Sequence, residues 1–133
     1  MRTYLLDTNA CIDSINGNAK VLNRLLSKSP AAVFVSVITE AELRLGPAKS
    51  STPSRNLRAL EHFLDPLTIV AFTSEDAVAY ARLRAKLEKA GKPIGSLDTL
   101  IAAQAVSRGH WLVTDNEKEF TRVPGLAVEN WTK

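Results

Sequence analysis

The sequence contains almost none of the residues that form disulfides or zinc sites. Its 133 residues include one cysteine, Cys11, and two histidines, His62 and His110. One cysteine excludes an intramolecular disulfide and a cysteine-rich zinc site, and is typical of a protein of the reducing cytoplasm. Neither histidine belongs to a paired ligand motif, so the sequence predicts neither a zinc centre nor a Ser/His/Asp triad.

Long apolar runs are also missing. No segment approaches the roughly 20 apolar residues of a membrane-spanning helix. Asp7 and Asp13 interrupt the stretch where a signal peptide would carry its apolar region, so we expect a cytoplasmic protein without membrane contact. The length suits one domain over residues 1–133, and 45% hydrophobic with 23% charged residues suits a soluble fold. The net charge of +3 is weak evidence for a polyanionic partner.

The apolar residues that are present form short runs without alternation. Such runs are typical of strands buried on both faces of a parallel sheet. The runs cover Tyr4–Leu6, Val33–Ile38, Leu67–Phe72 and Trp111–Thr114, with a shorter strand expected at Leu126–Glu129. Helical patterns separate them in the order β-α-α-β-α-α-β-α-α-β-α-β, which predicts an α/β sandwich on a mostly parallel sheet.

Capping and stop signals predict the helix boundaries. Thr39 and Glu42 match the capping-box pattern and predict a short helix that Gly46-Pro47 ends. Residues 48–56 are the best loop candidate, although Pro53 suits the first turn of the helix that follows. Later helices are predicted from Ser74 to just before Gly91 and from Ser96 to Arg108.

Four acidic residues occupy positions that a parallel sheet brings together. Asp7 directly follows the first strand, and Asp115 follows the strand that begins at Trp111. Ligands bind at the carboxyl ends of such strands, near a switch in strand order. Glu42 and Asp98 fall in the first turns of predicted helices, which usually face the same edge. Each acid alone is more simply explained as a helix or turn cap, but together they predict an acidic cleft.

A cleft lined by carboxylates needs a cation, because neighbouring carboxylates repel and raise one another's pKa. Hard oxygen ligands without histidine or cysteine favour Mg²⁺ or Mn²⁺. Such a site serves phosphodiester hydrolysis, since the ion activates water and neutralises the scissile phosphate. Basic side chains elsewhere would have to offset the repulsion between these acids and the substrate.

Four ordered segments resemble those of one known family. They are LLDTN at Leu5–Asn9, VSVITEAELRLG at Val35–Gly46, PIGSLDTLIAAQA at Pro93–Ala105 and LVTDNEKEFTRVPGLAVENW at Leu112–Trp131. Together they resemble the PIN-domain ribonucleases, and within these the VapC toxins of bacterial toxin–antitoxin pairs. The resemblance covers essentially the whole chain. It implies a three-layer α/β/α sandwich around a mostly parallel sheet of about five strands, as one PIN domain.

The resemblance also implies an activity. It implies a Mg²⁺-dependent endoribonuclease, in which Mn²⁺ substitutes, that stops translation by cutting RNA, often tRNA, until a cognate antitoxin binds. Asp7 matches the first metal-binding acid, Glu42 the acid of the E-L-x-x-G element, and Asp98 the acid that opens the last long helix.

The fourth acidic position is open at this stage. In the family it varies within the segment after the last long strand, where Asp115, Asn116 and Glu119 all compete. The letters TDN put Asn rather than Asp in third place, which leaves Asp115 and Glu119 about equal. The polar residues expected to support the site are Thr8, Asn9, Thr114 and Asn116.

Family members commonly form homodimers and present a groove to an antitoxin segment, whose basic side chain reaches the acidic site. Leu43, Leu45 and the helix Leu57–Leu64 are candidates to line such a groove. A core role for these leucines is the simpler expectation. The resemblance thus implies three partners: an RNA substrate, an antitoxin and a second copy of the chain, with larger assemblies formed with the antitoxin.

Three other protein classes share part of this pattern. A haloacid-dehalogenase-type phosphatase needs a second Asp two residues after the first, where this chain has Asn9. A receiver domain needs an Asp after a central strand, but Thr73 and Ser74 follow the run Leu67–Phe72. A catalytically inactive PIN-like module that binds RNA or protein stays open, although the joint presence of the candidate acids argues against it.

Overall fold

The computed structural model describes residues 1–133 and contains five strands, seven α-helices and one short 3₁₀ helix (Pro30–Ala32). The strands are β1 (Tyr4–Leu6), β2 (Val33–Ser36), β3 (Thr68–Val70), β4 (Trp111–Val113) and β5 (Val128–Glu129). The helices are α1 (Thr8–Ile15), α2 (Ala19–Leu26), α3 (Val37–Lys49), α4 (Pro53–Leu64), α5 (Ser74–Lys89), α6 (Ser96–Arg108) and α7 (Glu117–Phe120). The predicted order of elements is confirmed. No helix combines the length and the apolar character that crossing a bilayer requires.

All five strands run parallel, in the order β3-β2-β1-β4-β5. The central strand β1 pairs Leu5 with Phe34 of β2 on one side and with Leu112 of β4 on the other. The chain builds outward from β1 to β3 and then returns to the other side of β1 to form β4. The carboxyl ends of β1 and β4 therefore flank the switch in strand order, where α/β sheets bind ligands.

Helices cover both faces of the sheet, which explains why its strands are unbroken apolar runs. Leu6 and Val113 pack in one core with side chains of α1, α2, α3 and α4. Leu5 and Leu112, one residue away on the same strands, pack in a second core with α5, α6 and α7. This alternation confirms the predicted three-layer α/β/α architecture.

The predicted boundary between β2 and α3 is wrong. The apolar run Val33–Ile38 does not stay extended to its end, because the Ser36 side chain accepts a hydrogen bond from the Ile38 amide (3.1 Å) and caps a helix that starts at Val37. Thr39 is therefore a fully buried residue inside the helix rather than its N-cap. The predicted capping box does not form.

The predicted end of this helix is wrong as well. Gly46 and Pro47 stay helical and α3 continues to Lys49, so the loop candidate 48–56 shrinks to residues 50–52. The missing N–H of Pro47 lies in the last turn, where a proline removes only one hydrogen bond. With the start moved to Val37, Glu42 lies in the second turn of α3 rather than the first.

The remaining boundaries agree more closely with the sequence. Helix α5 begins at Ser74 and α6 spans Ser96–Arg108, as predicted. Gly109 ends α6 in the left-handed conformation (φ 71°), which glycine adopts without steric cost. Strands β3 and β5 are shorter than the apolar runs that predicted them, and β4 stops at Val113.

Candidate active site

Asp7 lies directly after β1, at the switch in strand order. Its Oδ1 accepts a hydrogen bond from the Ala10 amide (2.8 Å), so Asp7 is the N-cap of α1. The residue is only 6% exposed. Burial raises the pKa of Asp7 to about 6, even though hydrogen bonds from the Thr114 side chain and the Ala10 amide act in the opposite direction. A cap does not need such burial, so this carboxylate is a candidate for a second role.

Asp98 and Glu119 lie in contact with each other. Asp98 comes from the first turn of α6 and Glu119 from the short helix α7. Burial, the contact with Glu119 and the charges of Asp7 and Glu42 raise the pKa of Asp98 to about 6. Two carboxyl groups this close share a proton or a cation.

Glu119 is held on both of its oxygens. The Gly95 amide donates to Oε1 (3.2 Å), and the Asn116 side-chain amide donates to Oε2 (2.8 Å). Burial alone would raise the pKa of Glu119, but these hydrogen bonds, the contact with Asp98 and the positive charge of Arg122 lower it. Glu119 is therefore ionised at neutral pH and fixed in orientation.

Glu42 reaches the same cleft from the second turn of α3. Its Oε1 accepts a hydrogen bond from Thr8 Oγ1 (2.8 Å), which ties α3 to the start of α1. The charge of Glu42 contributes to the raised pKa of Asp98. The structure thus brings Asp7, Glu42, Asp98 and Glu119 together from four different elements.

The other predicted site residues lie around these four acids. Thr114 is buried, and its Oγ1 accepts a hydrogen bond from the Asn116 amide (3.0 Å) while the side chain contacts Asp7. Asp115 is exposed and close enough to Asp7 for its charge to raise the pKa of that residue. Asn9 is exposed in the first turn of α1.

The histidines and the cysteine take no part in the cleft. The Nδ1 of His110 lies 2.6 Å from Thr3 Oγ1, and its ring stacks on Phe34. His62 is exposed on α4, and Cys11 is buried in the core. The donor atoms of the cleft are therefore hard oxygens, which suit Mg²⁺ or Mn²⁺ better than zinc.

The hard oxygen donors of the cleft suit an ion that keeps part of its water shell. No three Asp, Glu, His or Cys side chains lie close enough together to enclose an ion. Mg²⁺ does not require such a cage, because it usually binds through one or two carboxylates and several waters. The raised pKa values of Asp7 and Asp98 mark negative charge that a cation would neutralise.

A groove of about 280 Å³ adjoins the cleft, and Glu42 forms part of its wall. Its other walls come from α1, α3 and α4, including Ile12, Ile15, Leu43, Asn56, Ala59 and Leu60. Leu43 and Leu60 also belong to the core, as expected. Leu45 is 57% exposed and does not line this groove.

Comparison with known proteins identifies the family. The sequence profile of the PIN domain matches residues 4–126. The chain belongs to the PIN-domain family. This PIN domain is 36% identical over 131 residues to the tRNA(fMet)-specific endonuclease VapC of Salmonella typhimurium, covering 98% of the chain and 99% of the relative. It is 40% identical over 133 residues to ribonuclease VapC2 of Rickettsia felis, covering 98% of each.

Solved structures agree with the sequence relatives. A crystal structure of DNA-bound VapBC from Salmonella typhimurium has a chain that matches this PIN domain with a TM-score of 0.93 at 36% identity, covering 98% of this chain and 99% of that chain. VapBC2 from Rickettsia felis, bound to a fragment of promoter DNA, matches with a TM-score of 0.89 at 39% identity, covering 97% and 98%. The prediction of a PIN-domain ribonuclease of VapC type is confirmed.

Two residues that contact the cleft were not singled out from the sequence. The Gly95 amide holds Glu119, and Arg122 places its charge beside the same carboxylate. Gly95 stands just before the helix that carries Asp98, and Arg122 follows Glu119 by one helical turn. Their short distance along the sequence from Asp98 and Glu119 was therefore the signal that could have identified both residues.

Proposed function

We propose that this PIN domain is the toxin of a toxin–antitoxin pair, a Mg²⁺-dependent endoribonuclease that cleaves tRNA in the cytoplasm, with Mn²⁺ able to substitute. The observation that carries the proposal is the convergence of Asp7, Glu42, Asp98 and Glu119 at the switch in strand order. The Salmonella relative, which matches this chain over almost its full length, is a tRNA(fMet)-specific endonuclease. Its activity supports tRNA as the substrate class.

Asp7, Glu42 and Asp98 are the proposed metal-binding residues, which would hold the ion directly or through its bound waters. When bound, the ion supplies activation of the attacking water and neutralisation of the scissile phosphate. Thr8 fixes the orientation of Glu42 through its 2.8 Å hydrogen bond, and Thr114 does the same for Asp7. These side chains are held in place by the fold, so substrate binding requires little rearrangement of the acids.

Glu119 is the proposed fourth catalytic acid. It contacts Asp98, is ionised and is held by Asn116, so it is placed to orient the attacking water and to accept its proton. Asp115 and Asn9 are exposed at the rim of the cleft, where the proposal gives them a supporting role.

Metal dependence tests the proposal directly. Purified protein is expected to cut a tRNA(fMet) transcript at discrete positions with Mg²⁺ or Mn²⁺ and to leave it intact in EDTA, as measured by gel analysis of end-labelled RNA. The variant Asp65→Asn, which changes an exposed acid at the end of α4, serves as a control that cleaves like wild type. Equal cleavage in EDTA would contradict the metal site. Intact tRNA with both ions would contradict tRNA cleavage itself.

The groove beside Glu42 is the proposed binding site for an antitoxin segment. It combines apolar walls from Ile12 and Leu60 with a carboxylate at one end, which suits an apolar segment that carries a basic side chain. The Salmonella and Rickettsia structures are toxin–antitoxin complexes, which supports a protein partner of this kind. We also propose that the protein forms a homodimer, and that larger assemblies form with the antitoxin.

A charged side chain in the groove is expected to prevent this binding. Ala59 is exposed and lines the groove from α4, so Ala59→Arg places a bulky cation there. We expect its affinity for the cognate antitoxin to fall at least about tenfold, equivalent to about 1.4 kcal/mol, while RNA cleavage stays intact. The control Ala77→Arg makes the same change at an exposed position of α5. Equal antitoxin affinity of both variants, measured by calorimetry, would place the binding site elsewhere.

A further inference from the structure

One arginine beside the acidic cleft has no carboxylate partner. Carboxylates within 4 Å neutralise Arg2, Arg24, Arg44, Arg84 and Arg108. Arg122 is exposed, and its Nη1 donates instead to the carbonyl oxygen of Pro93 (3.1 Å). A backbone carbonyl holds the guanidinium in place without neutralising its charge, and Glu119 interacts with that charge only from beyond ion-pair distance.

The position of Arg122 is fixed relative to the catalytic acids. Its amide donates to the carbonyl of Glu119 (3.2 Å), so it lies one turn beyond that residue. Pro93, which anchors the side chain, precedes Gly95, whose amide holds the Glu119 carboxylate. The guanidinium is thus tied to the loop that leads into α6 and Asp98.

An anchored guanidinium is well suited to a phosphate. Arginine has five N–H donors in a planar fork that matches two phosphate oxygens. The bond to Pro93 leaves the other N–H groups of Arg122 available. The carboxylates of the cleft repel RNA, so a cation at the rim is required to bring a strand against them. An anchored side chain also loses less conformational freedom on binding.

We propose that Arg122 binds a backbone phosphate of the RNA next to the scissile bond and so positions the strand against the acids. This inference rests on the proposed ribonuclease function for the identity of the ligand. A purely structural role, in which Arg122 only braces the loop at Pro93, is the competing explanation that the experiment has to separate from it.

Two variants separate charge from bracing. Arg122→Gln removes the charge, whereas Arg122→Lys keeps it at a similar distance from the backbone. Binding to a tRNA(fMet) transcript is measured in EDTA by filter retention over a range of salt concentrations. Each phosphate contact contributes about 0.7 to 0.9 to the slope of log affinity against log salt. We expect Arg122→Gln to reduce the slope by about that amount and Arg122→Lys to preserve it.

The control removes an arginine from another place. Arg58 is exposed on α4, which covers the opposite face of the sheet from α6 and α7. We expect Arg58→Gln to leave the slope unchanged. An unchanged slope in Arg122→Gln, even with reduced cleavage, would overturn the proposed phosphate contact. Arg122 would then have only its structural role at Pro93. An equal loss of slope in both Gln variants would also overturn it, because the effect would then be one of net charge. The proposed function is tested separately by metal-dependent cleavage with wild-type protein.

Discussion

Replacing Asp98 by asparagine is expected to lower kcat/KM for RNA cleavage by more than about a hundredfold. The change keeps the shape of the side chain and removes the charge that the proposed metal requires, and loss of an outer-shell partner alone costs ten- to a hundredfold. Asp98 lies in the cleft, where Asp7, Glu42 and Glu119 all contribute to its raised pKa. Single-turnover cleavage of a tRNA(fMet) transcript measures the effect, with circular dichroism to verify folding. Cleavage at the wild-type rate by folded Asp98→Asn would remove this residue from the mechanism.

The same assay ranks the two candidates for the fourth acid. Glu119→Gln is expected to approach the loss seen in Asp98→Asn, because Glu119 contacts Asp98 and is fixed by two hydrogen bonds. Asp115→Asn is expected to have a much smaller effect, since its side chain is exposed at the rim. The reverse order of effects would assign the fourth position to Asp115.

The largest effect on stability is expected from Arg108→Met. Arg108 donates to the carboxylate of Asp76 through Nη2 (2.9 Å) and Nε (3.3 Å) and to the carbonyl of Ala71 (2.9 Å). Asp76 is only 1% exposed. Arg108 itself is partly exposed, so removing it costs less than breaking a fully buried ion pair, and we expect a loss of about 2 kcal/mol. Urea denaturation measures the change in the free energy of unfolding.

A surface pair provides the matched control. Arg84 and Glu88 form an exposed (i, i+4) ion pair on α5 (3.0 Å). Arg84→Met is expected to change the free energy of unfolding by less than about 0.5 kcal/mol. An equal loss of unfolding free energy in the two variants would mean that removing any arginine destabilises the protein. The ion pair with Asp76 would then contribute no more than an exposed pair.

The pH dependence of the Arg108–Asp76 pair has a definite sign. Burial alone would raise the pKa of Asp76, but hydrogen bonds from Arg108 and Thr73 hold it below its usual value. The resulting stability is fully present above the pKa of the unfolded chain, about 4, and is lost as pH falls through the folded-state value. The difference between wild type and Arg108→Met is therefore expected to shrink below about pH 4. If this difference in the free energy of unfolding stayed constant down to pH 3, the ionised Asp76 carboxylate would not be its source.

The sheet was predictable because its central strands β1, β2 and β4 are covered on both faces and are therefore almost continuously apolar. The start of α3 was not, because Ser36 lies inside the apolar run Val33–Ile38 and acts as a cap only where the chain turns away from the sheet. The capping-box letters at Thr39 and Glu42 were misleading for a related reason. Thr39 is buried by tertiary packing, which local sequence does not encode.

The cleft was predictable in part. Strand ends and helix starts identify Asp7 and Asp98 as neighbours without knowledge of side-chain geometry. Glu42 was expected beside them from a helix start that the structure places earlier, at Val37. The choice between Asp115 and Glu119 depends on the direction of the chain through the one-turn helix α7, which directs Glu119 toward Asp98 and leaves Asp115 exposed. No capping or spacing rule predicts that direction.

The central position of β1 has a consequence for the order of events during synthesis. Strand β1 is made first, but one of its two neighbours, β4, begins only at Trp111. Domains generally fold as units, so a growing chain cannot complete the cleft before β4 and Glu119 have been made. Nascent chains shorter than this lack a complete set of acids.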